Sequence, residues 1–365
     1  MNFCVMPEIK LCDSFEAFLK EEHVSEKDLM ITNRFIVDRG RYPGLACDIL
    51  YQEDYGRGEP TDVMADAMLQ MVKHDYDRII AVGGGTVLDI SKLFVFDNGL
   101  TCAEIFEQGE QLKKKRKLIS IPTTCGTGSE VTGISIISFE RLGTKKGLST
   151  KALYSDEAVL IPELLDSLPY EVFAASAIDA LIHAVESFLS PNATEFSRTY
   201  SEKAMKMLLQ GLMEHKESIK ERRLPGTMDQ FLYASTMAGI AFGNAGCAAV
   251  HALSYPIGAI YHVPHGKANW MMFKAVFDMY RRQEANLSAL ERILEKVFNN
   301  DRPWDELFGL LDIVLEKPTF RQLEIDEKKC KAMAISVFEN QQRLLKNTPV
   351  LLSANDIYKI YLSCL

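Results

Sequence analysis

The chain has 365 residues, 47% of them hydrophobic, and its 41 basic and 50 acidic side chains give a formal net charge of −9. This length allows two domains with sizeable cores. The acidic balance argues against a general role in binding nucleic acids or membrane surfaces. The N-terminus shows no secretory signal pattern, and we find no apolar stretch of membrane-spanning length. Eight scattered cysteines without a CxxC pair predict reduced thiols in a cytoplasmic protein.

The first half of the chain predicts strands that alternate with helices. Strands are predicted over 28–32, 47–52, 78–85 and from residue 117, with helices over 62–74 and from Thr86. This alternation is typical of a parallel sheet covered by helices on both faces. After about residue 167 the pattern becomes helical, over 171–190, 196–222, 226–246, 268–300, 327–346 and 354–363. We predict an α/β domain over 1–166 and an all-α domain over 167–365.

Two turns follow predicted strands of the first domain. In GGGTVLD (83–89), Gly83, Gly84 and Gly85 would let a pyrophosphate approach their N–H groups, in front of a helix that starts at Thr86. Asp89 could cap that helix or bond to ribose. The pattern is neither GxGxxG nor a P-loop, so a tight turn without a ligand is the alternative.

The second turn, PTTCGTGSE (122–130), is rich in hydroxyl groups and glycine. Thr123, Thr124 and Thr127 could bond to phosphate or to the nicotinamide ribose, and an ordinary loop with a helix cap is the alternative. Because the carboxyl ends of parallel strands meet at one edge of a sheet, two such turns favour a dinucleotide site there.

Histidines are concentrated in the second domain. Asp179 and His183 are four residues apart on a predicted helix, which places both on one face. His251 lies on a helical stretch that we expect to break at Pro256 and Gly258, and His265 lies at the entry to the next helix. One carboxylate and three imidazoles would suit a divalent first-row metal with coordination positions left open for substrate. The alternatives are hydrogen-bonded core histidines, a loop histidine at 265 and, for His262, a surface role.

Four motifs occur in order along the chain: GGGTVLD, PTTCGTGSE, Asp179 with His183, and His251 with His265-Gly266. Together, in this order and spacing, they resemble the iron-dependent (group III) alcohol dehydrogenase family over nearly the whole chain. The resemblance implies a Rossmann-like α/β domain followed by a helical domain, the architecture shared with dehydroquinate synthase. It implies NAD as cofactor and Fe²⁺, or alternatively Zn²⁺, as metal. It implies metal ligation by Asp179, His183, His251 and His265, and cofactor contacts from the two turns, through Gly84, Gly85, Thr86, Asp89, Thr123, Thr124 and Thr127. Lys145 matches a family lysine near the nicotinamide ribose, with Lys146 as the neighbouring register.

Two positions depart from the family pattern. Tyr255 stands where many members have a further histidine, so a proton relay through that position is in doubt, and His262 and Tyr255 are the catalytic candidates. Asn33 stands where members often have an acidic residue that favours NAD over NADP. Asn33 can bond to ribose hydroxyls but repels a 2′-phosphate less than a carboxylate does, and NAD stays the expected cofactor.

The resemblance is greatest to members that interconvert 4-hydroxybutyrate and succinate semialdehyde. A small alcohol or aldehyde is therefore the expected substrate and a homodimer the expected assembly, with Lys267 as a candidate for binding the substrate carboxylate or as a surface lysine. The alternatives are a dehydrogenase for another small alcohol or diol, a dehydroquinate-synthase-like lyase, and a nucleotide-binding protein without activity.

Overall fold

The computed structural model describes residues 3–72, 74–97 and 99–365. The chain divides into two units, Val5–Leu168 and Pro169–Leu365, with Phe3 and Cys4 grouped with the second. The strands are β1 Glu8–Leu11, β2 Asp28–Thr32, β3 Asp48–Tyr51, β4 Arg78–Gly83, β5 Lys117–Pro122, β6 Ile134–Phe139, β7 Thr144–Ser149 and β8 Glu157–Leu160. The helices of the first unit are α1 Phe15–Glu21, α2 Asp62–Leu69, α3 Gly85–Ser91 and α4 Cys102–Gln108. Short 3-10 helices cover Gln52–Asp54, Lys92–Val95, Gly109–Gln111, Ser129–Val131, Glu140–Leu142, Lys151–Leu153 and Pro162–Leu165.

The first unit is built on a parallel sheet with the strand order β1-β8-β5-β4-β2-β3. Alternate strand residues face opposite sides: Leu29 and Ile79 join one apolar core, Met30 and Ile80 the other. Each face is therefore buried, as a parallel sheet requires. Strands β6 and β7 pair separately as an antiparallel hairpin.

The chain crosses the sheet in two directions. From β2 it moves outward to β3, then passes over β2 to β4 and continues through β5 to β8. The carboxyl ends of β2 and β4 therefore flank the topological switch point, the usual place for a ligand in an open α/β sheet. The predicted α/β fold is confirmed.

The second unit is helical in its described residues, which confirms the predicted class of the C-terminal part. Its helices are α5 Tyr170–Leu189, α6 Glu195–Glu214, α7 Lys216–Lys220, α8 Asp229–Ala245, α9 Ala249–Tyr261, α10 His265–Arg282, α11 Ser288–Phe298, α12 Pro303–Val314, α13 Glu327–Asn340, α14 Gln342–Leu345 and α15 Ala354–Leu362. Helix α5 packs against α6, α8 and α10, and α9 packs against α10.

Some predicted boundaries are wrong. The helix predicted over 62–74 ends at Leu69, and Lys73 lies outside the described residues. The stretch 268–300 forms two helices, α10 and α11. Strands β1, β6, β7 and β8 and helices α1, α4 and α12 were not predicted.

Helix α5 corrects the expectation that no stretch is apolar enough to span a membrane. It has 20 residues, and its most apolar window has a mean hydropathy of 1.5. However, 78% of that window is buried inside the protein, and the helix carries Asp179, His183 and Glu186. These features are typical of a core helix, whose polar side chains must find partners inside the unit.

Candidate metal site and nucleotide-binding turns

Helix α5 forms one wall of the candidate metal site. It is apolar on nearly every side, so Asp179, His183 and Glu186 are all buried, at 3%, 5% and 2% exposure. Their spacing of four and three residues places them on one face. A buried carboxylate needs charged or hydrogen-bonding partners, and the partners come from α9 and α10.

Helix α9 supplies His251 and Tyr255. Gly246, at φ +83°, lies in the break between α8 and α9, whose axes differ by 106°. The prediction that Pro256 and Gly258 break this helix is wrong, because α9 continues to Tyr261. The proline removes one backbone donor, but Ile257 and Gly258 beyond it are buried. We attribute the continuity to this packing, which offsets the lost hydrogen bond.

Helix α10 begins at His265, as predicted, and brings His265 and Asn269 to the same face. Gly266 allows this helix to approach α5 closely. A Cβ atom at Gly266 would lie 2.1 Å from the carbonyl oxygen of Ala175, well inside van der Waals contact. The contact between α10 and α5 therefore requires glycine at this position.

The structure brings the predicted ligands together in two overlapping groups. Ligand atoms of Asp179, His251 and His265 all lie within 4.8 Å of one another, as do those of His183, His251 and Cys247. Asp179 links the groups: its oxygens lie 3.5 Å from His251 Nε2, 3.7 Å from His265 Nε2 and 3.9 Å from His183 Nδ1. Cys247, which the sequence analysis did not consider, therefore borders the site.

The electrostatics of the site favour an ionised carboxylate among cations. Burial by itself raises the pKa of Asp179, but the charges of His183, His265 and His251 outweigh it, so the pKa lies below its ordinary value. Burial lowers the pKa of His251, whereas the carboxylates of Asp179 and Glu186 beside its two ring nitrogens raise it, with a net increase to about 9. Carboxylates that hold protons on these imidazoles also attract a metal cation, which competes with the protons for the ring nitrogens.

The residues fit a divalent metal. Nε2 of His251 is buried and has no hydrogen-bond partner within the described part of the chain. A buried ring nitrogen without a partner is costly, and a metal ion would use its lone pair. Imidazole and carboxylate donors suit both Fe²⁺ and Zn²⁺.

Besides Cys247, two further residues of the site were missed by the sequence analysis. Glu186 accepts hydrogen bonds from His251 Nδ1 at 2.6 Å, Val250 N–H at 2.6 Å and Ala248 N–H at 2.9 Å. Asn269 Nδ2 donates to Asp179 at 2.7 Å and lies 3.3 Å from His265 Nε2. The available signal was helical spacing, since Glu186 follows His183 by three residues and Asn269 follows His265 by four.

The two proposed catalytic residues have different environments. Tyr255 is 8% exposed, and its ring centroid lies 6.0 Å from that of His265. His262 is exposed and caps the C-terminus of α9 in the left-handed region, at φ +54°. Tyr255 is therefore part of the buried surroundings of the metal site, whereas His262 is in contact with solvent.

In the first unit, the two predicted turns contact each other at the carboxyl ends of β4 and β5. A Cβ atom at Gly85 would lie 2.6 Å from Thr127 Cγ2, and one at Gly84 would lie 3.2 Å from Thr124 Cγ2. Thr123 N–H donates to the carbonyl of Gly83 at 3.1 Å. The glycines therefore serve this close approach of the two turns, which the sequence analysis did not predict.

The hydroxyl groups of the turns have several environments. Thr123 is buried, whereas Thr124 and Thr127 are half-buried. Thr86 Oγ1 donates to the carbonyl of Gly58 at 2.9 Å. Both turns lie at the carboxyl edge of the sheet, which is where phosphate-containing ligands bind in open α/β sheets.

Asp89 has internal partners. Its oxygens accept hydrogen bonds from Ser129 Oγ at 2.5 Å and Ile136 N–H at 2.9 Å, and Lys92 Nζ lies 3.7 Å away. Lys92, fully buried, donates to Ser129 Oγ at 2.7 Å, and burial lowers its pKa to about 8. Asp89 therefore connects α3 to the second turn, and its contact with ribose stays a prediction.

The remaining cofactor candidates have acidic neighbours. Asn33, directly after β2, donates to Glu53 Oε2 at 2.8 Å. Lys145 Nζ lies 2.6 Å from Glu59, and its side chain is 5% exposed, whereas Lys146 is exposed. In the pair of adjacent lysines, Lys145 is the one that points into the unit.

These features define a class of protein: a parallel α/β unit with paired glycine and threonine turns, joined to a helical unit with a cluster of one aspartate and three histidines, of which only His265 is partly exposed. Family models for iron-containing alcohol dehydrogenase and for the C-terminal part of Fe-containing alcohol dehydrogenases match residues 12–162 and 173–365. The chain belongs to the iron-containing alcohol dehydrogenase family. This membership favours an oxidoreductase over the lyase alternative.

Relatives in this family match the chain over most of its length. The 4-hydroxybutyrate dehydrogenase of Clostridium kluyveri is 40% identical, and the alignment covers 97% of this chain and 97% of the relative. The long-chain-alcohol dehydrogenase 1 of Geobacillus thermodenitrificans is 32% identical over 91% of this chain and 88% of the relative.

Solved structures share the fold at low sequence identity. The sulfoacetaldehyde reductase from Bifidobacterium kashiwanohense, in complex with NAD⁺, aligns with a TM-score of 0.84 and 21% identity, covering 100% of this chain and 98% of that one. A 1,3-propanediol oxidoreductase aligns with a TM-score of 0.83 and 20% identity, covering 100% and 99%.

Proposed function

We propose that this chain is an NAD-dependent, metal-dependent dehydrogenase that interconverts 4-hydroxybutyrate and succinate semialdehyde. The observation that carries the proposal is the 40% identity to the 4-hydroxybutyrate dehydrogenase of Clostridium kluyveri, which extends over 97% of both chains. The stretch HALSYPIGAIYHVPHG (251–266), with Tyr255 in place of the more common histidine, supports the same assignment.

We infer that Asp179, His183, His251 and His265 hold Fe²⁺, with Zn²⁺ as the alternative metal. The proposal is supported by the burial of Asp179, His183 and His251 with the half-buried His265 beside them, and by the Nε2 atom of His251, which has no partner among the described residues. When bound, the metal supplies Lewis-acid polarisation of the alcohol or aldehyde oxygen, and the nicotinamide carries the hydride. Glu186 and Asn269 hold the ligand side chains in position, which is the usual function of such outer hydrogen bonds.

We further infer that NAD binds at the carboxyl ends of β2, β4 and β5. The residues proposed to bind it are Asn33, Gly84, Gly85, Thr86, Asp89, Thr123, Thr124, Thr127 and Lys145. The position of the glycine and threonine turns at the topological switch point supports this proposal. Lys92 and Asp89 both hydrogen-bond to Ser129, and these bonds hold the segment that follows the glycine turn against the threonine turn.

Tyr255 is the better candidate than His262 for handling the alcohol proton. Its burial beside His265 supports this choice. Lys267 lies 3.2 Å from Glu171 in an ion pair, which supports a surface role over substrate binding. The cytoplasmic location, which the scattered cysteines predict, and the homodimer, which the family resemblance implies, stay predictions.

The test is a substrate panel on the purified chain, loaded anaerobically with Fe²⁺ or Zn²⁺ and followed by NADH absorbance. The most informative pair is 4-hydroxybutyrate and 1-butanol, because they differ only in the carboxylate. We expect 4-hydroxybutyrate to have a kcat/KM higher by at least about tenfold, as for a site built to bind a polar group. Propanediols and glycerol complete the panel.

The outcomes separate the alternatives. Preference for 1-butanol or a diol would support the dehydrogenase assignment and reject 4-hydroxybutyrate as the substrate. No NADH with any alcohol and either metal would reject the dehydrogenase and favour a lyase or a nucleotide-binding protein.

A further inference from the structure

The end of β2 carries a charged cluster that the family resemblance did not predict. We define the β2-end cluster as Asn33 and Arg34, which follow β2, together with Glu53 and Asp54 of the 3-10 helix that follows β3. Its two carboxylates and one guanidinium give a formal charge of −1. The side chains of Arg34, Glu53 and Asp54 are 50%, 27% and 48% exposed, so the cluster is accessible to a ligand.

Glu53 is held rigidly at this edge. Its Oε1 accepts the backbone N–H of Arg34 at 2.7 Å, and its Oε2 accepts Asn33 Nδ2 at 2.8 Å. Asn33 also donates to Gln52 Oε1 at 3.1 Å. Asn33 therefore does not replace the usual acidic side chain, but positions beside itself a carboxylate from the 3-10 helix that follows the neighbouring strand β3.

Arg34 is neutralised by Asp54. Its Nη1 and Nη2 donate to the two oxygens of Asp54 at 2.5 and 2.6 Å, and its guanidinium stacks 4.1 Å from the ring centroid of Tyr51. This bidentate geometry is the one that a guanidinium would otherwise offer to a phosphate. Asp54 thus occupies the donors that could bind a 2′-phosphate.

The cluster lies where an adenosine ribose would bind. The register pairs Ile31 of β2 with Ala81 of β4, so the chain leaves β2 at the same level as the glycine turn leaves β4. In doubly wound sheets, the pyrophosphate binds at the glycine turn of one strand, and an acidic residue at the end of the adjacent strand bonds to the ribose 2′-hydroxyl. An arginine there accommodates the 2′-phosphate of NADP instead.

We propose that Glu53 is the residue that selects NAD over NADP, and that Asp54 strengthens the selection by holding Arg34. This inference rests on the proposed function, because it assumes that a dinucleotide binds at the switch point. The Glu53 carboxylate accepts the 2′-hydroxyl of NAD and repels the 2′-phosphate of NADP. A merely structural Glu53 would affect stability without changing the ratio of the two cofactors.

The experiment compares kcat/KM for NAD and NADP in the metal-loaded full chain, with binding of NADH and NADPH measured in parallel by fluorescence. For Glu53→Gln, we expect the NADP/NAD efficiency ratio to rise by at least about tenfold, since one unit charge a few ångströms away is worth more than this when partly buried. For Asp54→Asn, which frees Arg34, we expect a rise of at least about threefold. Glu107→Gln, an exposed residue of α4, removes the same charge from the same unit and should leave the ratio within about twofold.

A further variant, at Arg34, leaves the side chain of Glu53 and its contact with the backbone intact. Arg34→Gln removes the cation and should lower the NADP/NAD ratio by at least about threefold, even if Glu53→Gln does not fold. The proposal is overturned if the ratio changes by less than about twofold in folded Glu53→Gln, or in Arg34→Gln when Glu53→Gln is unfolded. A wild-type preference for NADP would overturn it while leaving the dehydrogenase assignment intact. Failure of the wild type to bind either dinucleotide would instead reject the proposed function.

Discussion

Glu186 Oε2 lies 2.6 Å from Nδ1 of His251, and the same carboxylate accepts the backbone N–H groups of Ala248 and Val250. An ionised carboxylate only accepts hydrogen bonds, so the proton of His251 must be on Nδ1. Nε2 is then the atom available to a metal. Glu186 thus orients the proposed ligand His251. It also caps α9, because it accepts N–H groups at the start of that helix that have no partner within the helix.

The first prediction concerns Glu186→Gln. A glutamine can present an N–H to His251 and removes a charge, so we expect metal affinity to fall by roughly 10–100-fold. Affinity is measured by competition with a chelator, and folding by circular dichroism. Glu195→Gln on α6, whose side chain is 92% exposed, is the matched control. Unchanged affinity in folded Glu186→Gln would reject the positioning role.

The second prediction tests the proposed ligand set. His183→Ala and His265→Ala each remove one imidazole, and we expect a loss of affinity beyond the roughly 100-fold that outer hydrogen bonds contribute. Activity should fall with metal content. His215→Ala, at the end of α6 and outside both groups, should retain both. Full metal content and full activity in either ligand variant would contradict the site.

The third prediction separates Tyr255 from His262. Tyr255→Phe removes the hydroxyl of a buried tyrosine whose ring lies beside His265. We expect kcat to fall by roughly 10²-fold, the lower range for a positioned acid–base group. His262→Ala should change kcat by less than about threefold, because His262 is exposed. Tyr261→Phe, on the same helix, controls for loss of a tyrosine hydroxyl. The reverse order of effects would assign the relay to His262.

The fourth prediction concerns the contact between α10 and α5. Gly266→Ala places a methyl group 2.1 Å from the Ala175 carbonyl oxygen. We expect destabilisation near the upper end of the roughly 1–3 kcal/mol seen for overpacking, together with weaker metal binding as His265 moves away from Asp179. Thermal and denaturant unfolding measure the first effect, and chelator competition the second.

Gly309→Ala is the matched control for this substitution. Gly309 lies inside α12, and a Cβ atom there has no neighbour within 4 Å among the described residues. The same change should therefore stabilise the protein by roughly 0.5–1 kcal/mol. Equal stability changes in both variants would show that the close approach at Gly266 is not required.

The parts of the fold that were predicted correctly have strong local patterns. The strands near residues 28–32 and 78–83 are apolar runs ended by turn residues, and α5 has continuous helical periodicity. Strand β1 was missed because it has only four residues and pairs with β8, which is distant in sequence. Hairpin β6–β7 was missed because polar and apolar residues do not alternate regularly along ISIISF and TKKGLS. The break predicted at Pro256 was wrong because burial of α9 outweighs one lost hydrogen bond.

The sequence by itself determined the fold class, the two turns and the residue types of the Asp179, His183, His251 and His265 set, because these depend on periodicity and short-range spacing. Only the tertiary structure decided that Cys247, Glu186 and Asn269 surround that set, and that Glu53 lies against Asn33. These contacts join different helices or strands, and their distances follow from packing and strand register. Helical spacing could place Glu186 beside His183 and Asn269 beside His265, but it could not place either residue against a neighbouring helix.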